Sequence, residues 1–219
     1  MGCGYGKRYF APVCLYPHTK YRTVLGIVEL LRKFEFHLNE HLIVVADQLS
    51  ALDNLVTGRY ASKQAVFAKA REDAKQVFRL SGRVARKMKV HEQGRLVYWD
   101  EIGQTTEFTK FSRSMREGFL GEDLLSDTLE RFVIERVERF GLGASPARER
   151  HHQREYLLSE ICMSVYCTEV LGYSHEIWER PPANDLPDPI KLLYEQRPQV
   201  VVAAVGHPTH RSQHYLFGR

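Results

Sequence analysis

Short apolar runs alternate along the chain with longer stretches of helical period. Residues 9–15 form the first run, ahead of a turn at Pro17, and residues 24–34 (VLGIVELLRKF) repeat apolar positions at intervals of three and four. Residues 41–47 (HLIVVAD) are continuously apolar and end in a carboxylate, the pattern of a strand buried on both faces of a parallel sheet. A helix is predicted from Ser62 to about Val90, with the Ser62 hydroxyl as its cap. Residues 95–102 (RLVYWDEI) are rich in β-formers and predict a strand. Helical patterns follow at 106–119 and 123–140, then a GLGASP break at 141–146, then a further helix over 150–171. Residues 175–179 predict a short strand, 190–195 a helix after a proline-rich loop, and 200–205 (VVVAAV) a last buried strand.

Strands separated by helices indicate an α/β fold with a mostly parallel sheet. The expected organisation is one domain over residues 1–206 and a basic, mobile tail over 207–219. Ligands bind such sheets beyond the carboxyl ends of the strands. That places residues 14–19, 47–49 and the loop after Trp178 near a candidate site.

The chain has 219 residues, enough for one large domain, and its 43% hydrophobic and 26% charged residues argue against disorder. No apolar run approaches the roughly 20 residues that span a bilayer. No apolar stretch follows the opening MGCGYGKR, and Gly6 stands where a myristoylation signal needs Ser or Thr. A cytoplasmic protein is expected. Cys3, Cys14, Cys162 and Cys167 form no CxxC pair, so free thiols are expected and no metal site. His207, His210 and His214 have ligand-like spacing but lie in the short tail, which does not make a metal centre.

The net charge of +4 says less than its distribution. Arg71, Lys75, Arg79 and Arg83 recur every four residues, and Arg86 and Lys87 extend the row. Phe67, Ala70, Ala74, Val77, Val84 and Met88 fall on another face. A solvated surface helix would show the same division. Only Glu72 and Asp73 interrupt the cationic face, however, and a row of like charges suits a polyanion such as RNA.

Among motifs, Gly2, Gly4, Gly6 and Lys7 miss the phosphate-loop spacing, no HxGH or KMSKS signature for ATP-driven adenylate chemistry occurs, and no GxSxG elbow exists. Tyr156 and Glu160 stand at i and i+4 in a helical stretch, which puts a phenol and a carboxylate on one face. Taken alone, such a pair is compatible with a simple surface hydrogen bond.

In order along the chain, a strand ending in Asp47, a spacer, Gly58-Arg59-Tyr60, the Ala- and Arg-rich helix, the RLVYWDEI strand, the Tyr156–Glu160 pair and EIWERPP (176–182) resemble the tRNA-dependent cyclodipeptide synthases. The resemblance covers roughly residues 10–205 and suggests a divergent member, nearest the fungal group that makes arginine-containing products. It implies a Rossmann-like, mostly parallel sheet flanked by helices, similar to the catalytic domain of class I tyrosyl-tRNA synthetase. It implies two aminoacyl-tRNAs as substrates, an aminoacyl-enzyme, a diketopiperazine product and no cofactor.

Under this resemblance Tyr156 orients the aminoacyl group, Glu160 holds its ammonium and moves a proton, and the row Arg71, Lys75, Arg79, Arg83, Arg86 and Lys87 binds tRNA. Two positions depart from the family. Its nucleophilic Ser segment reads VCLYPHT here, leaving Cys14, Tyr16, Thr19 (which stands where the family has Asn) or direct transfer without an acyl-enzyme as alternatives. A thiol ionises more readily than an alcohol or a phenol. Trp178 takes the place of a late catalytic Tyr and has no hydroxyl, so either Tyr173 or Tyr194 substitutes or the step differs. An arginyl substrate would need a carboxylate to receive its guanidinium, for which Asp47, Asp53, Asp100 and Glu179 are open choices. A non-catalytic RNA-binding module and a small-molecule transferase on the same sheet are the competing readings.

Overall fold

The computed structural model describes residues 7–14, 24, 28, 32, 40–46, 62–87, 94–121, 123–140, 146–178, 201–204 and 216–217. Strands β1 (Arg8–Cys14), β2 (Glu40–Ala46), β3 (Gly94–Tyr98), β4 (His175–Trp178), β5 (Val201–Ala204) and β6 (Leu216–Phe217) form one sheet in the order β3-β2-β1-β4-β5-β6. All neighbours are parallel except β5 and β6. Residues 216–217, inside the basic tail, thus add an antiparallel edge. The predicted helix over 24–34 lies largely outside the described residues; Val24, Val28 and Arg32 are helical.

Helix α1 (Lys63–Lys87) connects β2 to β3 and begins as expected, with the Ala65 amide donating to Ser62 Oγ at 3.2 Å. Helices α2 (Trp99–Gly103), α3 (Thr106–Gly121), α4 (Asp123–Phe140) and α5 (Pro146–Val165) lead from β3 towards β4. A π-helical turn (Tyr166–Val170) closes α5. The strand predicted over 95–102 is therefore half strand and half helix. Glu101, at the third helical position, accepts the Tyr98 amide at 3.0 Å and starts α2 where the β-rich composition pointed to continued strand.

Side chains alternate across a sheet, and this fixes which helix covers which face. Phe10, Leu42, Val44, Ala46 and Val97 pack in one cluster with Phe108 of α3, Cys162 and Met163 of α5, and Tyr166. Tyr98, next to Val97, points to the other face and stacks on Phe78 of α1 at 4.5 Å. Helices α3 and α5 thus lie on one face of the sheet and α1 on the other. Leu129 and Val133 of α4 seal the outer side of α5 against Leu157, Leu158, Ile161 and Val165.

At the amino edge Arg8 ties β1 to β2 and to the turn that leads into β4. Its Nε and Nη2 donate to the Glu40 carboxylate at 2.8 and 2.7 Å, and its Nη1 donates to the Leu171 carbonyl at 2.6 Å. The guanidinium also lies 4.6 Å from the centre of the Tyr173 ring. This pairing raises the Arg8 pKa and lowers that of Glu40. Gly172 makes the turn with φ of 74°, and a Cβ there would stand 3.0 Å from Arg8 Nη1.

Candidate active site and cationic face

The strand numbering reverses between β1 and β4, and an α/β sheet opens its ligand crevice at such a point, outside the carboxyl ends. Cys14 ends β1 and Trp178 ends β4, so both flank this crevice through their backbones. Tyr16, Thr19, Asp47, Asp53, Glu179 and Tyr194 lie outside the described residues. Tyr173 is excluded as a replacement for the late catalytic Tyr, because it is buried beside Arg8 at the opposite, amino edge. Burial, followed by the Glu40 charge, raises its pKa.

Helix α5 runs into the π-helical turn and then into β4, which it precedes in the chain, so it runs antiparallel to the strands. Its carboxyl end sits at the amino edge of the sheet, and Glu160 and then Tyr156 lie roughly one and a half and two and a half turns further towards the crevice. Tyr156 is half-buried against two hydrophobic clusters, and Glu160 is only 7% exposed.

An arginine that sequence patterning missed fixes this helix from the side. Arg116 of α3 donates through Nη1 to both Glu155 carboxylate oxygens at 3.1 and 3.0 Å, through Nη2 to Ser159 Oγ at 3.0 Å, and through Nε to Ser112 Oγ at 3.3 Å. Glu155 and Ser159 immediately precede Tyr156 and Glu160, so the clamp sets the rotation of α5 about its axis. Ser164, one turn beyond Glu160, donates through Oγ to Oε1 of the fully buried Glu176 on β4 at 2.7 Å, which joins α5 to the central strand. Cys162 and Cys167 are free and buried; burial raises both thiol pKa values, that of Cys167 well above the usual range, which makes them poor nucleophiles.

Helix α1 divides as predicted, with Val66, Ala70, Ala74 and Val77 buried and Arg71, Lys75, Arg79, Arg83, Arg86 and Lys87 exposed. One expectation needs correcting. Asp73 does not interrupt the cationic face; it is 1% exposed and takes Lys69 Nζ at 2.5 Å. Arg71 Nη2 meets Asp100 Oδ2 at 3.0 Å, and Lys75 Nζ lies 3.9 Å from Glu72. Asp100 is therefore engaged on the α1 face and does not stand with Glu160. The cationic row lies on one face of the sheet and the phenol and acid on the other, with the carboxyl edge between them. There Lys63, at the start of α1, is near enough to His152 of α5 to help lower its pKa, after burial and the charges of Arg148 and His151.

With this geometry, comparison with solved structures is decisive for architecture. A cyclodipeptide synthase from Fluoribacter dumoffii superposes with a TM-score of 0.66 at 12% identity, over 90% of this chain and 89% of that one. The fold is that of the cyclodipeptide synthases. A Mycobacterium tuberculosis protein whose structure relates cyclodipeptide synthetases to type I tRNA synthetases matches at 0.62 and 14% identity, over 83% of this chain and 75% of that one. A cyclodipeptide synthase from Candidatus Glomeribacter gigasporarum bound to Phe-tRNAPhe matches at 0.52 and 14% identity, over 87% and 82%. No family model and no curated protein matches the sequence. The cyclodipeptide synthase fold accounts for the Rossmann-like sheet and for its helices on both faces. Among the described residues, no helix is long and apolar enough to cross a membrane.

Proposed function

We propose that this chain is an aminoacyltransferase that joins two aminoacyl groups from charged tRNAs into a cyclic dipeptide, one of them arginyl. What supports the reading is a buried Glu160 four residues after Tyr156 on the helix that packs over β1, in a chain that spans most of a cyclodipeptide synthase fold.

The chemistry follows from the ester. The first aminoacyl carbonyl leaves its tRNA 3′ oxygen for a nucleophile just beyond or at the end of β1, Cys14 or Tyr16, with Thr19 nearby. Its ammonium sits against Glu160, and Tyr156 orients the acyl group. Loss of a proton from that ammonium frees the amine to attack the ester carbonyl of the second aminoacyl-tRNA. The amine of the resulting dipeptidyl-enzyme then attacks the ester or thioester to the enzyme, which closes the ring and frees the nucleophile. Both tRNAs leave with free 3′ hydroxyls, so no ATP is consumed. Solvated Arg79, Arg83, Arg86 and Lys87 hold phosphates and place the carrier without reading its sequence.

The test is direct. Purified protein given aminoacyl-tRNAs, arginyl-tRNA among them, in buffer without ATP should release a diketopiperazine detectable by mass spectrometry. Glu160→Gln should abolish product while tRNA binding persists. Steeply salt-dependent tRNA binding with no product from any pair of charged tRNAs would leave only an RNA-binding module.

A further inference from the structure

Beside the cationic row lies a cleft of about 230 Å³ lined by Arg71, Lys75, Tyr98, Asp100, Glu101 and Gln104. It carries both signs of charge, which phosphate gripping alone does not require. The Tyr98 ring, braced by Phe78 at 4.5 Å, forms an aromatic wall. Asp100 sits deep, 15% exposed, with Arg71 across from it at 3.0 Å. Glu101 is committed to the Tyr98 amide, which holds the wall in place. A phosphate on Arg71 and Lys75, a π surface and a recessed acceptor carboxylate together describe a nucleotide whose base bears an exocyclic amino group.

Position narrows the choice. The cleft is at the carboxyl end of β3, two strands from β1, or roughly 10 Å sideways from the crevice at the usual strand spacing. With the ester at the crevice, an unstacked strand, which spans more than the ~3.4 Å per nucleotide of a double helix, covers that distance within the two nucleotides before the terminal adenosine. In every tRNA those nucleotides are unpaired cytidines.

Resting on the tRNA reading above, we propose that this cleft seats a cytidine of the single-stranded 3′ CCA end, its phosphate on Arg71 and Lys75, its ring on Tyr98 and its N4 amino group on Asp100. The site would then read a feature common to all tRNAs and set the length of chain that reaches over the sheet edge to the crevice.

The experiment uses the full chain and an uncharged acceptor-arm minihelix ending in CCA, compared by fluorescence anisotropy with one ending in UUA. The wild type should favour CCA by about tenfold, the size of a good amino-to-carboxylate contact. Asp100→Ala should erase that preference, with the phosphate contribution to both RNAs raised alike because Arg71 loses its carboxylate partner. Arg71→Ala and Lys75→Ala should weaken both RNAs alike and each reduce the salt slope by about one. Equal affinity of the wild type for CCA and UUA ends overturns the proposal without recourse to any variant, as does a preference that survives in a folded Asp100→Ala protein. Absence of salt-dependent binding to either RNA would instead overturn the tRNA reading itself.

Discussion

The Arg116 clamp offers a quantitative test of how packing sets the site. Replacing Arg116 by Ala removes three hydrogen bonds to Glu155 and Ser159 on α5. The Arg116 and Glu155 side chains are 26% and 37% exposed, between a surface pair, worth at most about 1 kcal/mol, and a buried one, whose breaking costs about 3–5 kcal/mol. Contact of the single nitrogen Nη1 with both carboxylate oxygens at 3.0–3.1 Å favours a value a little above the surface limit. A coupling of about 1.5 kcal/mol is therefore expected from a double-mutant cycle with Glu155→Ala, read by urea unfolding. Diketopiperazine formation should fall further than stability explains, because freeing α5 lets Tyr156 and Glu160 rotate away from the bound ester. Arg116→Lys should recover little, since one ammonium cannot hold Glu155, Ser159 and Ser112 at once. Coupling below about 0.3 kcal/mol, together with wild-type turnover by Arg116→Ala, would show that α5 is held by its hydrophobic face alone.

At the other edge, Gly172→Ala forces a side chain into φ of 74° against Arg8 Nη1, costing about 2 kcal/mol and lowering Tm by about 4–8 °C, with turnover of the folded fraction unchanged. A melting point within one degree of wild type would refute the account of that turn. The His152 and His175 pKa values are both lowered, chiefly by burial. With a native value below the unfolded one of about 6.5, each histidine binds protons more readily when unfolded, so stability should decline as pH falls through 6.5 towards the native values. A His152→Asn, His175→Asn protein should show a flatter dependence of urea midpoint on pH, and an unchanged slope would count against both assignments. Replacing Arg79, Arg83 and Arg86 together by Ala should lower the salt slope of tRNA binding by about three while leaving the melting curve nearly unaltered, since they are exposed.

What the chain discloses without coordinates is whatever depends on neighbours a few residues away. The apolar run of β2 and the cap of α1 at Ser62 are local, and both were legible within a residue or two. So was the i,i+4 relation of Tyr156 to Glu160. The end of β3 was not, because a single Glu101-to-Tyr98 bond outweighs the β-preference of Tyr-Trp in RLVYWDEI. Long-range partners were silent as well. Arg116 meets residues 39 and 43 positions away, and Arg71 meets Asp100 at a separation of 29, with no periodicity to announce either. The same cause made Asp100 look like a free strand-end carboxylate and Tyr173 like a candidate proton relay. Their roles depend on which edge and which face they occupy, and only the strand order decides that.

The separation of the cationic row from the phenol–acid pair has a physical logic. Were both on one face, phosphates would compete with the substrate carboxyl end for the same space, and the cationic field would oppose the ammonium that Glu160 is to hold. With the sheet between them, α1 can hold a polyanion while α5 offers a buried acid to a cation. Only an unpaired strand need cross the carboxyl edge, where Lys63 and His152 approach each other. On the proposed reading, the carrier's reactive ester reaches the crevice on a single-stranded tip.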